Sequence, residues 1–217
     1  MNRALRQEEP HQSAAVLSDS FIDWWFNPWS YADVEGRSSG CATALSSLTA
    51  SDTLARRDAY HLWCTELKVV AELPPSFDPA WSFAATADAK EFGATLRLFG
   101  ALVAACGRDE ALLAELPFND RKWCMSIAST QALVAVSRPA ASLAERGALE
   151  LKDRLEAEFY GLWSRLRMLL APAVRAVVDM QAADSRRAPL AAGVVARWQR
   201  CWRLCSERAK TPMSIAS

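Results

Sequence analysis

Apolar residues recur every three or four positions through most of this chain, which predicts helices rather than strands. The clearest stripe runs through Leu151, Leu155, Phe159, Leu162 and Leu166 and continues past Pro172. No segment shows the strict alternation of a half-buried strand. The pattern therefore predicts an all-α protein, a single compact domain of about six to eight helices. The predicted helices span 53–72, 88–106, 109–116, 120–137, 142–182 and 190–209.

Proline, glycine and serine mark the expected boundaries. Pro74 and Pro75 exclude helical geometry in the residues before them, and Pro172 should kink the helix over 142–182 or split it in two. The helical domain is expected to cover 21–210. The segments around and within it are a loosely ordered tail over 1–20, an aromatic-rich turn over 21–31, a Gly/Ser-rich loop over 36–51 and a second tail over 211–217.

Three glycines recur at seven-residue intervals at the helix over 88–106. Gly93 and Gly100 fall on one face, where each lowers helix propensity by about 1 kcal/mol relative to Ala. Two such losses on one face indicate close packing of the backbone against another helix. Gly107 lies where a helix would end, and it is interpreted as the C-terminal cap.

The N-terminal segment FIDWWFNPWSY contains six aromatic rings, in a chain with nine Trp, eight Phe and three Tyr in all. Two interpretations are open. The rings could anchor the N-terminal turn in a groove of the helical body, or some could stay exposed as hot spots for a partner. The Asn27-Pro28 step favours a turn that folds Trp24 and Trp25 back toward Trp29 and Tyr31. We expect most of the rings to anchor, and we keep these four as candidate partner-binding residues.

Charge is balanced, with 25 basic and 25 acidic side chains in 217 residues. A neutral chain lacks the cationic excess that general nucleic-acid binding requires. A local excess of basic residues occurs in 184–210, which contains seven Lys or Arg and two acidic residues. Two interpretations remain for it: Trp198 and Trp202 in the core with solvated arginines, or a surface for an acidic partner, a lipid or RNA. The candidate partner-binding residues here are Arg197, Arg200 and Arg203.

No catalytic constellation emerges, so the chain is expected not to be an enzyme and to hold no cofactor or metal. Phosphate-binding glycine loops and nucleophile elbows are missing from the sequence. His61 and Cys64, and Cys201 and Cys205, have helical ligand spacing, but zinc needs three or four ligands. Both pairs are interpreted as structural, the cysteines as core-facing thiols. Glu156 and Glu158, near Lys152 and Arg154, are interpreted as one solvated helical face.

The N-terminus has no secretory signal, and the longest uncharged apolar stretch, 123–137, is too short and too polar to span a bilayer. The six cysteines show no paired spacing and are expected to be reduced and mostly buried. These features predict a cytoplasmic protein.

The signature Phe26-Asn27-Pro28-Trp29-Ser30-Tyr31, followed by a helical body, resembles the K subunit of the type III secretion sorting platform. The block LRLFGALVAACGRDEALLAELPFNDRKW, at 96–123, is similar to the same family's order of a Leu/Gly-rich helix, a short helix and a further helix. One departure is that Ala32, Asp33 and Val34 follow the tyrosine, where members often carry a histidine.

The resemblance implies a non-enzymatic cytoplasmic adaptor for protein transport and virulence. Such a protein links the cytosolic domain of the inner-membrane ring to the platform's pod protein, at the inner-membrane face of the apparatus. The alternative is a helical regulatory or chaperone-like binding module unrelated to the platform. A small metal- or ligand-binding enzyme is the third hypothesis.

Overall fold

The computed structural model describes residues 17–28, 31, 53–86, 88–134, 139–181 and 191–211, and it confirms the all-α class in these ranges. The helices are α1 Asp19–Phe26, α2 Thr53–Glu66, a 3-10 helix Pro79–Ala84, α3 Ala89–Gly107, α4 Glu110–Leu113, α5 Phe118–Thr130, α6 Leu143–Glu158, α7 Leu162–Leu166, a 3-10 helix Arg167–Leu169, α8 Pro172–Met180 and α9 Ala192–Lys210.

Helix α3 is the centre of the body and packs against α5, α6 and α9. Its backbone comes closest to α6 where two glycines face each other. A Cβ built on Gly100 would lie 1.9 Å from the Leu143 carbonyl oxygen, and one on Gly147 would lie 2.1 Å from the Leu96 carbonyl oxygen. Both neighbours are backbone atoms, so the helices can approach this closely only where both residues lack a side chain. The predicted close packing is confirmed at Gly100, but Gly93 has nothing within 4 Å.

Two helices end in a left-handed residue that is not glycine. Helix α2 stops at Glu66, six residues before the expected end, because Lys68 adopts φ 54°. The Val69 amide then donates to the Cys64 carbonyl at 2.8 Å, which closes the helix with a Schellman motif. At the end of α3 the left-handed residue is Arg108, with φ 58°. The cap expected at Gly107 is therefore wrong by one position.

The helix expected over 142–182 is divided into α6, α7, a 3-10 turn and α8. The break at Pro172 is confirmed, since α8 begins at that proline. The other break was not predicted. It falls at Gly161, whose φ of 92° favours glycine, and it lets Phe159 and Leu162 both enter the core. An uninterrupted apolar stripe gave no sign of this bend.

The remaining expectations differ in smaller ways. Helix α5 begins at Phe118, two residues before the expected start, and ends at Thr130, seven residues before the expected end at 137. The aromatic turn is mostly the helix α1, whose N-cap Ser18 accepts a hydrogen bond from the Phe21 amide at 3.2 Å. The loop over 36–51, residues 1–16 of the first tail and 212–217 of the second lie outside the described residues.

The two basic side chains of α6 are buried, whereas Glu156 and Glu158 are partly exposed, which corrects the expectation that all four form one solvated face. Lys152 and Arg154 are only 7% and 4% exposed. The Lys152 ammonium donates to the carbonyls of Val178 and Gln181, at 3.0 and 2.7 Å, and so satisfies the C-terminal end of α8. The Arg154 guanidinium lies 4.4 Å from the ring centroid of Trp198 in α9. Lys152 and Arg154 therefore interact with α8 and α9 rather than with solvent.

Candidate protein-binding surface

The N-terminal helix α1 is held to the body through its aromatic side chains. Trp25 is fully buried and Phe21 is 4% exposed. Both rings pack on Phe159 at the end of α6, with centroid distances of 5.6 and 5.8 Å. Such pairs contribute about 0.5–1.5 kcal/mol each beyond the area they bury. Burial of these two rings supports the anchoring interpretation.

Of the polar groups of this segment, the Trp24 indole finds a partner in the body, whereas the Trp25 indole nitrogen and the Tyr31 hydroxyl have no hydrogen-bond partner among the described residues. The Trp24 indole donates to the Thr86 carbonyl at 2.8 Å and stacks on Tyr31 with centroids 4.8 Å apart. Tyr31 is 4% exposed, whereas Phe26 is 40% exposed beside Tyr60. Of the candidate partner-binding aromatics, Trp25 and Tyr31 therefore lie in the core and Trp24 is half-buried. Trp29 lies outside the described residues.

Arg165 of α7 holds this aromatic cluster in place, and its role was not predicted from the sequence. The side chain is fully buried, and its guanidinium lies 3.5 Å from the Trp25 ring centroid. It donates to the Trp25 carbonyl at 3.0 Å and to the Tyr60 hydroxyl at 2.7 Å. Burial lowers the pKa of this guanidinium, but an arginine remains a cation at any ordinary pH. The sequence feature that could have indicated its burial is its position among leucines in LWSRLRMLL.

Helix α9 separates aromatic and basic side chains cleanly. Trp198 and Trp202 are buried against Phe99 of α3, with centroids 5.7 and 5.2 Å away. This agrees with the first of the two interpretations, in which both tryptophans belong to the core. The opposite side carries three exposed arginines at three-residue spacing, which we call the basic row. Its members are Arg197, Arg200 and Arg203.

The basic row is supported by the body at both ends. The Arg197 guanidinium donates to the Ala132 carbonyl at 2.9 Å, and that of Arg203 lies 4.2 Å from the Phe83 ring centroid. These contacts restrict two long side chains that would otherwise lose more entropy on binding. Helix α9 contains five Lys or Arg and one Glu, so the rest of this neutral chain has an acidic excess. The arrangement suits an acidic partner surface.

Four of the five described cysteines are buried, Cys106 is partly buried, and Cys41 lies outside the described residues. Cys201 and Cys205 are fully buried, and burial raises the pKa of the Cys201 thiol to about 11. Burial likewise raises the pKa of Cys124 to about 12. His61 is exposed while Cys64 is buried, so that pair does not share a site. Within the described ranges no three His, Cys, Asp or Glu side chains are grouped to hold a metal.

Comparison of the sequence with models of protein families, with curated proteins and with solved structures returned no match. In the part of the chain that the structure describes, no helix has the length and apolar character needed to cross a membrane.

Proposed function

We propose that this chain is a non-enzymatic cytoplasmic adaptor of a bacterial type III secretion system. It links the cytosolic domain of the inner-membrane ring to the pod protein of the sorting platform. The observation that supports a binding role is the basic row, three exposed arginines on a helix fixed by two buried tryptophans. The signature over 26–31 supplies the identity of the partners by resemblance. Pro28 and Tyr31 of this signature are buried in the body and serve folding, whereas Phe26 is 40% exposed and remains accessible to a partner.

Affinity purification of the tagged chain from secreting bacteria tests this assignment. We expect to recover the ring protein, the pod protein or both, and we expect deletion of the gene to abolish secretion. A plasmid copy of the gene should restore it. Recovery of a single secreted effector or of a transcription factor would favour the alternative binding module. Recovery of no secretion component from secreting cells would refute the adaptor role.

Neutralising the basic row should weaken partner binding without unfolding the protein. We expect the triple change Arg197→Gln, Arg200→Gln, Arg203→Gln to lower the association rate by about tenfold or more, because charged surfaces steer encounter. The free energy of unfolding should change by less than about 1 kcal/mol, as is usual for exposed side chains. Surface plasmon resonance with the recovered partner at two salt concentrations measures the rate and its salt dependence.

The matched control removes the same charge elsewhere, through Arg57→Gln, Lys90→Gln and Arg97→Gln at three exposed positions on α2 and α3. This protein should bind at close to the unaltered rate. Equal losses in both triple variants would show that only net charge matters and that α9 is not the binding face.

A further inference from the structure

A groove of about 510 Å³ lies between the C-terminal end of α6, the residues around Asp78 and the N-terminal half of α9. Its walls are mostly small apolar side chains, including Ala157, Ala192, Val195 and Ala196. Two carboxylates, Asp78 and Glu158, line the same groove. A concave apolar site with a few convergent polar groups has the form of a binding site rather than of ordinary surface.

The two carboxylates are held in place by neutral donors. Glu158 Oε2 accepts from the Trp81 indole at 2.5 Å. Asp78 Oδ1 accepts from the Ala80 amide at 2.9 Å, and its Oδ2 accepts from the Gln199 side chain at 2.6 Å. The backbone joins them too, since the Asp78 amide donates to the Glu158 carbonyl at 2.8 Å. The positions of both groups are thus fixed before anything binds.

The negative charge in the groove is only weakly compensated. Among the described residues no Lys or Arg makes a salt bridge to Asp78 or Glu158, and Arg154 acts on Glu158 from a longer distance. Burial raises the pKa of Glu158, and the neighbouring Asp78 charge adds to that shift. A half-buried pair of carboxylates with no Lys or Arg of the described residues in salt-bridge contact is electrostatically complementary to a cationic group that enters the groove.

We propose that this groove binds an arginine side chain presented by a protein partner, an inference that rests on the adaptor function and specifies its partner. The aliphatic stem would lie on the alanine and valine walls while the guanidinium meets the carboxylates. Arginine fits better than lysine, because its planar fork donates to two acceptor groups at once and is less strongly hydrated.

Helix α9 contributes to the groove through Val195, Ala196 and Gln199 and carries the basic row on the adjoining face. One partner segment could therefore contact both features. It would place an arginine in the groove and acidic residues against Arg197 and Arg200. This pattern excludes partners that are uniformly acidic, since they would meet Asp78 and Glu158 with like charge.

Nuclear magnetic resonance of the ¹⁵N-labelled full chain tests the groove directly, with N-acetyl-arginine amide as the probe. We expect saturable shifts of the Trp81 indole and the Gln199 side-chain amide, because both donate to the carboxylates concerned. N-acetyl-citrulline amide, a neutral analogue of the same shape, should cause no saturable shift. Equal shifts with both probes, or no shift with either, would overturn the proposal. This test needs no variant of the protein.

The variant Glu158→Gln keeps an acceptor for Trp81 but removes the charge, and it should weaken arginine-amide binding roughly tenfold or more. Its thermal melt is the check that it folds. A second control changes to Ala two basic residues that precede α9 and lie outside the described ranges, Arg186 and Arg187. If that protein binds the amide much more tightly, the groove is occupied by arginines of this same chain, and the partner proposal is wrong.

The outcomes separate this inference from the adaptor function. If N-acetyl-arginine amide binds but no secretion component is recovered from cells, the adaptor role fails and the groove remains a site for basic side chains. If the ring or pod protein is recovered equally well with the Glu158→Gln variant and the amide does not bind, the groove inference fails alone.

Discussion

Replacing Gly100 with Ala is expected to lower the free energy of unfolding by about 3 kcal/mol or more. The added Cβ would lie 1.9 Å from the Leu143 carbonyl oxygen and 2.8 Å from the Gly147 amide nitrogen. Neither atom can rotate away, because both belong to the backbone of α6. The two central helices would have to separate, and the close packing on both sides of the contact would be lost. Urea denaturation followed by circular dichroism measures the change.

Gly93 provides a matched control on the same helix, two turns earlier. A Cβ there would meet nothing within 4 Å. The Gly93→Ala variant should therefore gain about 0.5–1 kcal/mol from helix propensity alone. Gly147→Ala should reproduce the loss at Gly100, since its Cβ would lie 2.1 Å from the Leu96 carbonyl oxygen. Similar stabilities for the Gly100 and Gly93 variants would contradict the close approach of α3 and α6.

The glycine contact shows what local pattern can and cannot predict. The spacing of Gly93 and Gly100 placed both on one face of a helix, and that much follows from 3.6 residues per turn. Which of them touches another helix depends on Gly147, more than forty positions later, and on the angle at which α6 crosses α3. A single sequence contains no measure of that angle. The presence of the helix α3 was therefore predictable, but the helix against which Gly100 packs was not.

The prediction that the charged residues of α6 face solvent was wrong for a related physical reason. A helix with Lys152, Arg154 and Glu156 in sequence normally turns such charged side chains to water. Here Lys152 contacts the carbonyls at the end of α8 and Arg154, on another side of the helix, contacts the ring of Trp198, so both cations exchange solvent for partners in the body. The local sequence pattern is the same for an exposed and for a buried charged helix. Whether a charge is buried depends on partners that distant segments supply.

The candidate site was predictable in part. The basic row followed directly from helical spacing in α9, because Trp198 and Trp202 define which side is inward. The groove was not predictable, since Asp78 and Glu158 come from segments eighty positions apart and meet only in the folded chain. The same holds for Arg165, whose contacts reach back to the first described helix.

Arg165→Met should destabilise the protein by about 3 kcal/mol and release α1 from the body. The guanidinium now satisfies the Trp25 carbonyl, which has no partner within α1 because the helix ends one residue later. It also donates to Tyr60 and stacks on the Trp25 ring. Methionine fills similar space but leaves buried acceptors unpaired, at roughly 1–3 kcal/mol each. Hydrogen exchange should show the amides of 19–26 losing protection first.

Arg167 is the control, two residues away on the same turn. Its guanidinium bridges the Leu67 carbonyl and Asp179, but it is only half-buried and the Asp179 side chain is 42% exposed. Because solvent screens such a pair, Arg167→Met should lose about 1 kcal/mol or less, with α1 still protected. If the two variants were equally stable, burial of the Arg165 cation would not be what holds the N-terminal aromatic helix in place. A large loss at Arg165 alone would identify the aromatic segment as an anchor whose strength is set by one buried charge.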